Sequence, residues 1–246
     1  MKKLLYIILI LNVCNLYAQH EMMLRASQAQ FANEGGGSLP ANIVITYPTS
    51  GQYPGSDFQE WYFFPTQKGH KITFTVNSID TEAGFDFLKI TEFAVPSLSN
   101  DVPILQTYSG SSVGTSVSSS IGFRIVFVSD GGVNGNGFTF TITETADGSL
   151  PLTTLTYPAS GNYPSGDFKS WYFQDGTISF SAFNTENVSD YLRIYEVNGN
   201  IEPTLINAYS GTSLPSNYSN TKRYIAAFTS DASIESTGFS LTFTPN

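Results

Sequence analysis

The chain has 246 residues, of which 13% are charged; 20 acids against 11 Lys and Arg give a formal net charge of −9. That balance repels nucleic acid and anionic lipid, and no Lys/Arg cluster opposes it, so a nucleic-acid partner is excluded. The single cysteine, Cys14, cannot close an internal disulfide, so the fold must rest on packing, on metal, or on both.

In chain order, Lys2 and Lys3 precede the apolar run 4–11 (LLYIILIL), and Leu16-Tyr17-Ala18 ends in a small residue before Gln19. This order predicts a signal peptide over 1–18 and a secreted, extracellular product. Its removal takes Cys14 with it and, by losing Lys2 and Lys3, moves the net charge from −9 to −11. Residues 19–40 show little hydrophobic periodicity and close on Gly35-Gly36-Gly37-Ser38, which predicts a flexible lead-in. No later apolar stretch reaches the 18 residues of a membrane span, so no membrane insertion is expected.

The remainder is a duplication. Residues 45–54 (ITYPTSGQYP) correspond to 155–164 (LTYPASGNYP), and Trp61-Tyr62-Phe63 to Trp171-Tyr172-Phe173. Further on, residues 127–130 (FVSD) correspond to 228–231 (FTSD), and Gly137-Phe138 to Gly238-Phe239. Two domains are predicted, 41–146 and 150–246, each with its own core and able to fold alone. Within each, apolar residues recur every second position. Ile72, Phe74 and Val76 alternate with polar neighbours, as do Phe138, Phe140 and Ile142, and Phe239, Leu241 and Phe243. Short strands of this kind, separated by Gly, Pro, Ser and Asn turns, predict an all-β fold of two tandem antiparallel sandwiches. Trp61 and Trp171 occupy the same place inside an apolar run and are read as core, not as a carbohydrate-stacking pair.

Each copy also repeats an ordered set of polar residues. Tyr53 and Tyr163 stand in Tyr-Pro pairs; Glu82 precedes Asp86 as Glu186 precedes Asp190; Asp130 and Asp231 end a late strand shortly before Gly-Phe. Together with the Trp after the Tyr-Pro, Asp86-Phe87-Leu88 or Asp190-Tyr191-Leu192, and Tyr-Ser-Gly at 108–110 and 209–211, these motifs resemble the CUB domain. The resemblance covers nearly all of 41–246, but without the family's usual cysteines and with a shorter loop between the Glu and the Asp. It implies a jelly-roll-like sandwich with calcium at one end. By position, the ligands fall on Glu82, Asp86 and Asp130 supported by Tyr53, and on Glu186, Asp190, Asp231 and Ser233 supported by Tyr163. Gly132 stands where the second copy has Ser233. Calcium takes six to eight hard oxygen ligands in irregular geometry, and a cation relieves the repulsion of three gathered carboxylates. Glu92 and Glu196, nearby, read as surface charges of little weight.

An enzyme is not indicated. His20 and His70 are the only histidines, neither has a counterpart in the other copy, and no nucleophile, zinc or phosphate-loop motif is present. The resemblance implies recognition as the function: calcium-ordered acidic loops binding an extracellular protein, with a basic side chain of the partner at the loops. The alternative is a glycan-binding or matrix protein with purely structural calcium, which exposed aromatics at Tyr62, Tyr172 or Phe183 would favour.

Overall fold

The computed structural model describes residues 42–67, 69–92, 104–147, 153–200 and 202–246. The signal peptide and lead-in expected over 1–40 lie outside these residues. Every helix or strand assigned among the described residues is a strand. The first copy contains β1 (Asn42–Tyr47), β2 (Phe58–Phe63), β3 (His70–Asp80), β4 (Phe87–Glu92), β5 (Ile104–Tyr108), β6 (Val117–Ser119), β7 (Phe123–Val128) and β8 (Gly137–Ala146). The second contains β9 (Thr154–Tyr157), β10 (Phe168–Phe173), β11 (Gly176–Asn184), β12 (Tyr191–Val197), β13 (Thr204–Tyr209), β14 (Tyr218–Asn220), β15 (Arg223–Thr229) and β16 (Gly238–Pro245).

Strand order is the same in both. The sheets β1-β8-β3-β6 and β2-β7-β4-β5 form one sandwich; β9-β16-β11-β14 and β10-β15-β12-β13 form the other, all antiparallel. Alternation sets the faces. Ile72, Phe74 and Val76 of β3 are buried while Lys71, Thr73 and Thr75, each one residue before them, are partly exposed. Facing rings fill the core: Phe74 and Phe140 lie 5.0 Å apart, Phe127 and Phe138 5.2 Å. Trp61 stands edge-on to Phe138 and Phe140, and Trp171 to Phe239, so both indoles pack against the cores.

Each Gly-Phe motif has a steric reason. A Cβ on Gly137 would stand 2.0 Å from the Tyr47 carbonyl oxygen, and one on Gly238 1.9 Å from that of Tyr157. Both glycines adopt left-handed φ values (84° and 76°), which only glycine takes at little cost. They bring β8 and β16 hard against the turns after β1 and β9. Glu92 and Glu196 do more than carry surface charge: Ser119 Oγ donates to Glu92 at 2.7 Å, and Asn220 Nδ2 and Lys222 Nζ donate to Glu196 at 2.7 Å. Each carboxylate thereby fastens the short strand β6 or β14.

Besides the two sandwich interiors, a further cluster spans the copies. Tyr62 and Phe64 of the first pack with Tyr195, Val197, Ile225 and Ala227 of the second. Phe64 stacks on Tyr172 with ring centroids 6.5 Å apart and planes 9° from parallel. The Pro65 carbonyl accepts from the Tyr172 hydroxyl at 2.8 Å and from Arg223 Nη1 at 2.7 Å, using both lone pairs. Burial of the outward side chains of β12 and β15 thus comes from the first copy, at about 1.5–3 kcal/mol per large apolar group.

Candidate metal centres

Both candidate centres are built from loops at one end of a sandwich. In the first, β3 ends at Asp80 and the chain turns through Thr81-Glu82-Ala83-Gly84-Phe85-Asp86 into β4. The turn is closed by the Asp86 amide donating to the Glu82 carbonyl at 3.1 Å. The buried Thr81 hydroxyl accepts from the Gly110 amide at 2.9 Å, tying this turn to the Tyr-Ser-Gly loop. Asp130 follows β7, and Tyr53 rises from the β1–β2 connection.

Tyr53 is the post on which the centre stands. Its ring is fully buried edge-on to Phe127 at 5.0 Å, its hydroxyl donates to Asp86 Oδ2 at 2.5 Å, and it accepts from the Glu82 amide at 3.1 Å. Burial first, then the Asp86 carboxylate, pushes the Tyr53 hydroxyl above its ordinary range, so it stays a donor. Asp86 is 1% exposed and uses its other oxygen to accept from the Asp130 amide at 2.9 Å. The second copy repeats this atom for atom. Tyr163 donates to Asp190 Oδ2 at 2.5 Å and accepts from the Glu186 amide at 3.0 Å; Asp190, fully buried, accepts from the Asp231 amide at 2.8 Å.

The structure gathers Glu82, Asp86 and Asp130 so that one carboxylate oxygen of each lies within 4.8 Å of the others, and does the same with Glu186, Asp190 and Asp231. Two oxygens per buried Asp are already committed to hydroxyl and backbone, which fixes its orientation. The remaining donors are hard oxygens only, a set that suits calcium and not soft transition metals.

The centres differ at the glutamate. Glu82 Oε2 accepts from the Val133 amide at 3.0 Å. Glu186 Oε2 is buried with no hydrogen-bond partner among the described residues. Burial first, then the Asp231, Asp190 and Glu235 carboxylates, holds Glu186 above the usual carboxylate range, with Ser233 opposing. A buried oxygen left without a donor, beside two further carboxylates, fits a cation. Ser233 donates to Asp231 through both its amide, at 2.7 Å, and its hydroxyl, at 3.0 Å. Gly132 offers Asp130 only its amide, at 2.6 Å.

Two participants escape a reading of acids alone. Thr81 and Thr185 are buried and anchor the acidic turn to Gly110 and Gly211, and Ser109 and Ser210 accept from the Gly84 and Val188 amides. The repeated Thr-Glu pair and the repeated Tyr-Ser-Gly were the available signals. The aromatics that would have favoured a glycan face are spent elsewhere: Tyr62 and Phe183 are each 6% exposed, and Tyr172 lies in the contact between the copies.

Comparison with known proteins adds the family. The CUB domain family model matches residues 153–243. Cubilin of Canis lupus familiaris is 29% identical over 89% of the chain, and cubilin of Homo sapiens 26% identical over 89%. The chain spans about 7% of the length of these curated relatives. Among solved structures, the CUB1-EGF-CUB2 domains of human MASP-1/3 align over 84% of this chain and 100% of that one, at 16% identity and a TM-score of 0.35. The full extracellular region of zebrafish Gpr126/Adgrg6 aligns over 83% of this chain and 35% of that one, at 15% identity and 0.35. Residues 153–243 are thus a CUB domain by direct family match, and the first copy shares that domain's strand order and its acidic triad.

Proposed function

We propose that the protein is a secreted, non-catalytic recognition module whose two acidic centres take calcium and, so ordered, bind an extracellular protein. CUB domains mediate extracellular protein interactions. One observation carries the calcium reading: the same three carboxylates, oriented by the same buried tyrosine, meet at the end of both sandwiches. Glu82, Asp86 and Asp130 would hold one ion; Glu186, Asp190, Asp231 and Ser233 the other. Bound calcium supplies charge neutralisation at three loops that no disulfide joins. The residues' own part is to fix those loops: Tyr53 and Tyr163 orient the inner aspartates, and Thr81 and Thr185 hold the acidic turns. Chain acidity favours a basic side chain as the partner's contact.

Calcium titration of the mature protein tests this. Extracellular calcium modules have Kd near 10⁻⁴–10⁻³ M, so titration at millimolar calcium should register two sites per chain. Thermal midpoints should rise with calcium and fall with EDTA, and magnesium should substitute poorly because it requires a stricter octahedron. The stabilisation follows RT ln(1 + [L]/Kd), about 2.7 kcal/mol at a hundredfold excess. Absence of binding heat at millimolar calcium would defeat the reading.

A further inference from the structure

Single exposed apolar side chains are ordinary on a protein surface, but a group of them gathered in one place marks a contact site. Among the described residues the four most exposed large apolar side chains are Val188 at 73%, Val133 and Ile234 at 66%, and Phe85 at 60%. All four sit beside the carboxylate triads. Phe85 precedes Asp86, and the Val133 amide donates to Glu82; Val188 lies between Glu186 and Asp190, and Ile234 follows Ser233. Each centre therefore carries one bare apolar residue on its β3–β4 (or β11–β12) turn and one on its β7–β8 (or β15–β16) turn.

The backbone sharpens the point. Val188 and Ile234 adopt left-handed φ values of 60° and 51°, where β-branched residues rarely go. Gly84, at the place of Val188 in the first copy, has φ 81°, so the turn asks for glycine and the second copy supplies valine. An apolar side chain left mostly in solvent on a backbone conformation that costs it free energy points to a contact made with another molecule.

We propose that these pairs form an apolar collar on each centre, and that the partner is a protein segment presenting apolar side chains on both sides of a cationic one. Charge complementarity places the cation against the carboxylates, and the collar reads its neighbours. This rests on the calcium-dependent binding proposed above and adds the selection of sequence around the basic residue. A phospholipid surface is the other apolar partner that calcium loops could meet, but a chain of net charge −9 is repelled by anionic lipid, and two residues per centre insert little area.

The test uses the mature chain in about 2 mM calcium, with two capped peptides as probes: lysine flanked by leucines, and lysine flanked by serines. Isothermal titration should give the leucine peptide at least roughly tenfold tighter binding, the worth of one partly buried leucine. Phe85→Ser with Val133→Ser should erase that preference at the first centre, and Val188→Ser with Ile234→Ser at the second, while calcium titration stays unchanged. Equal affinity for the two peptides, or binding of neither with calcium bound, overturns the collar and leaves the calcium reading intact. Loss of calcium binding in the unaltered chain overturns both. Calcium-dependent sedimentation with phosphatidylserine-containing vesicles, abolished by the same substitutions, overturns the protein partner in favour of lipid.

Discussion

The strands β7 and β15 hold equivalent places in the two sandwiches, yet their outer faces meet different surroundings. In β7 buried and half-buried residues alternate along Phe123–Val128; in β15 the five residues Tyr224–Phe228 are all buried. Inward positions agree: Ile125 and Phe127 face one core as Ala226 and Phe228 face the other. Outward, the first copy has Thr91, Arg124 and Val126 where the second has Tyr195, Ile225 and Ala227, by ladder register. The first copy covers the outward residues of β15, whereas on β7 Arg124 pairs with Glu60 and Val126 is half-buried; Tyr62, beside Arg124 on β2, joins the contact between the copies. The centres diverge in parallel: Glu82 is satisfied by a backbone amide, and Glu186 is not. A shared scaffold has thus been given two jobs on one sheet and two grades of readiness at one end.

The largest expected contrast lies in that sheet. Ala227→Asp buries an unpaired charge between the copies and should cost about 3–5 kcal/mol, whereas Val126→Asp, at the same register, should cost about 1 kcal/mol or less. Urea midpoints measure both, and similar losses would show that the outer faces are equivalent after all. Residues 150–246 alone should fold, but with a lower midpoint than in the full chain, because Ile225, Tyr195 and Val197 lose their cover.

Next come the inner aspartates. Asp86→Ala or Asp190→Ala removes the acceptor of a buried tyrosine hydroxyl and of a backbone amide, and should cost about 2–3 kcal/mol without calcium. Asp130→Ala and Asp231→Ala, on exposed turns, should cost less than about 1 kcal/mol. Each should silence the calcium response of its own copy only. A third effect is smaller and opposite in sign. Glu186→Gln relieves the crowding of carboxylates and should raise the melting midpoint in EDTA while lowering the calcium response; Glu82→Gln should not raise it, because Glu82 loses a charged acceptor for the Val133 amide. Last, Gly132→Ser restores the hydroxyl that Ser233 supplies. A Cβ there would lie 2.9 Å from Asp130 Oδ1 and 3.0 Å from Glu82 Oε2, so both carboxylates must yield slightly. A gain of a few-fold in calcium affinity at the first centre is expected by titration, and a loss would mean that the crowding outweighs the added ligand.

Much of this was legible in residues alone. Period-two alternation and the repeated turns sufficed for strands and for two sandwiches, since each strand buries one face and a turn must separate it from the next. The triads were legible because duplication marked the same acids twice. What escaped detection required knowledge of which strands neighbour one another. Thr81 and Thr185 look like ordinary strand-end threonines until the Tyr-Ser-Gly loop is folded onto them. The docking face had a signal in the unbroken apolar run 224–228, the mark of a strand covered on both sides. Its occupant, centred on Phe64 and Pro65, lies about 160 residues away and has no matching motif. Glu144 is similar: it accepts from the Thr66 and Gln67 amides and the Thr66 hydroxyl, contacts made across the sheet edge that no local pattern announces.

The double-sided burial of β15 also governs how freely the two halves can drift. At Arg124 the outward side chain is held by Glu60, and at Val126 it is half-exposed, so at Val126 chiefly solubility and strand propensity limit what fits. At Ile225 and Ala227 every exchange must fit a cavity shaped by the other half, so a larger residue overpacks it and a polar one is stranded. In a saturation library, Val126 of β7 should accept many residues, and Ile225 and Ala227 of β15 few.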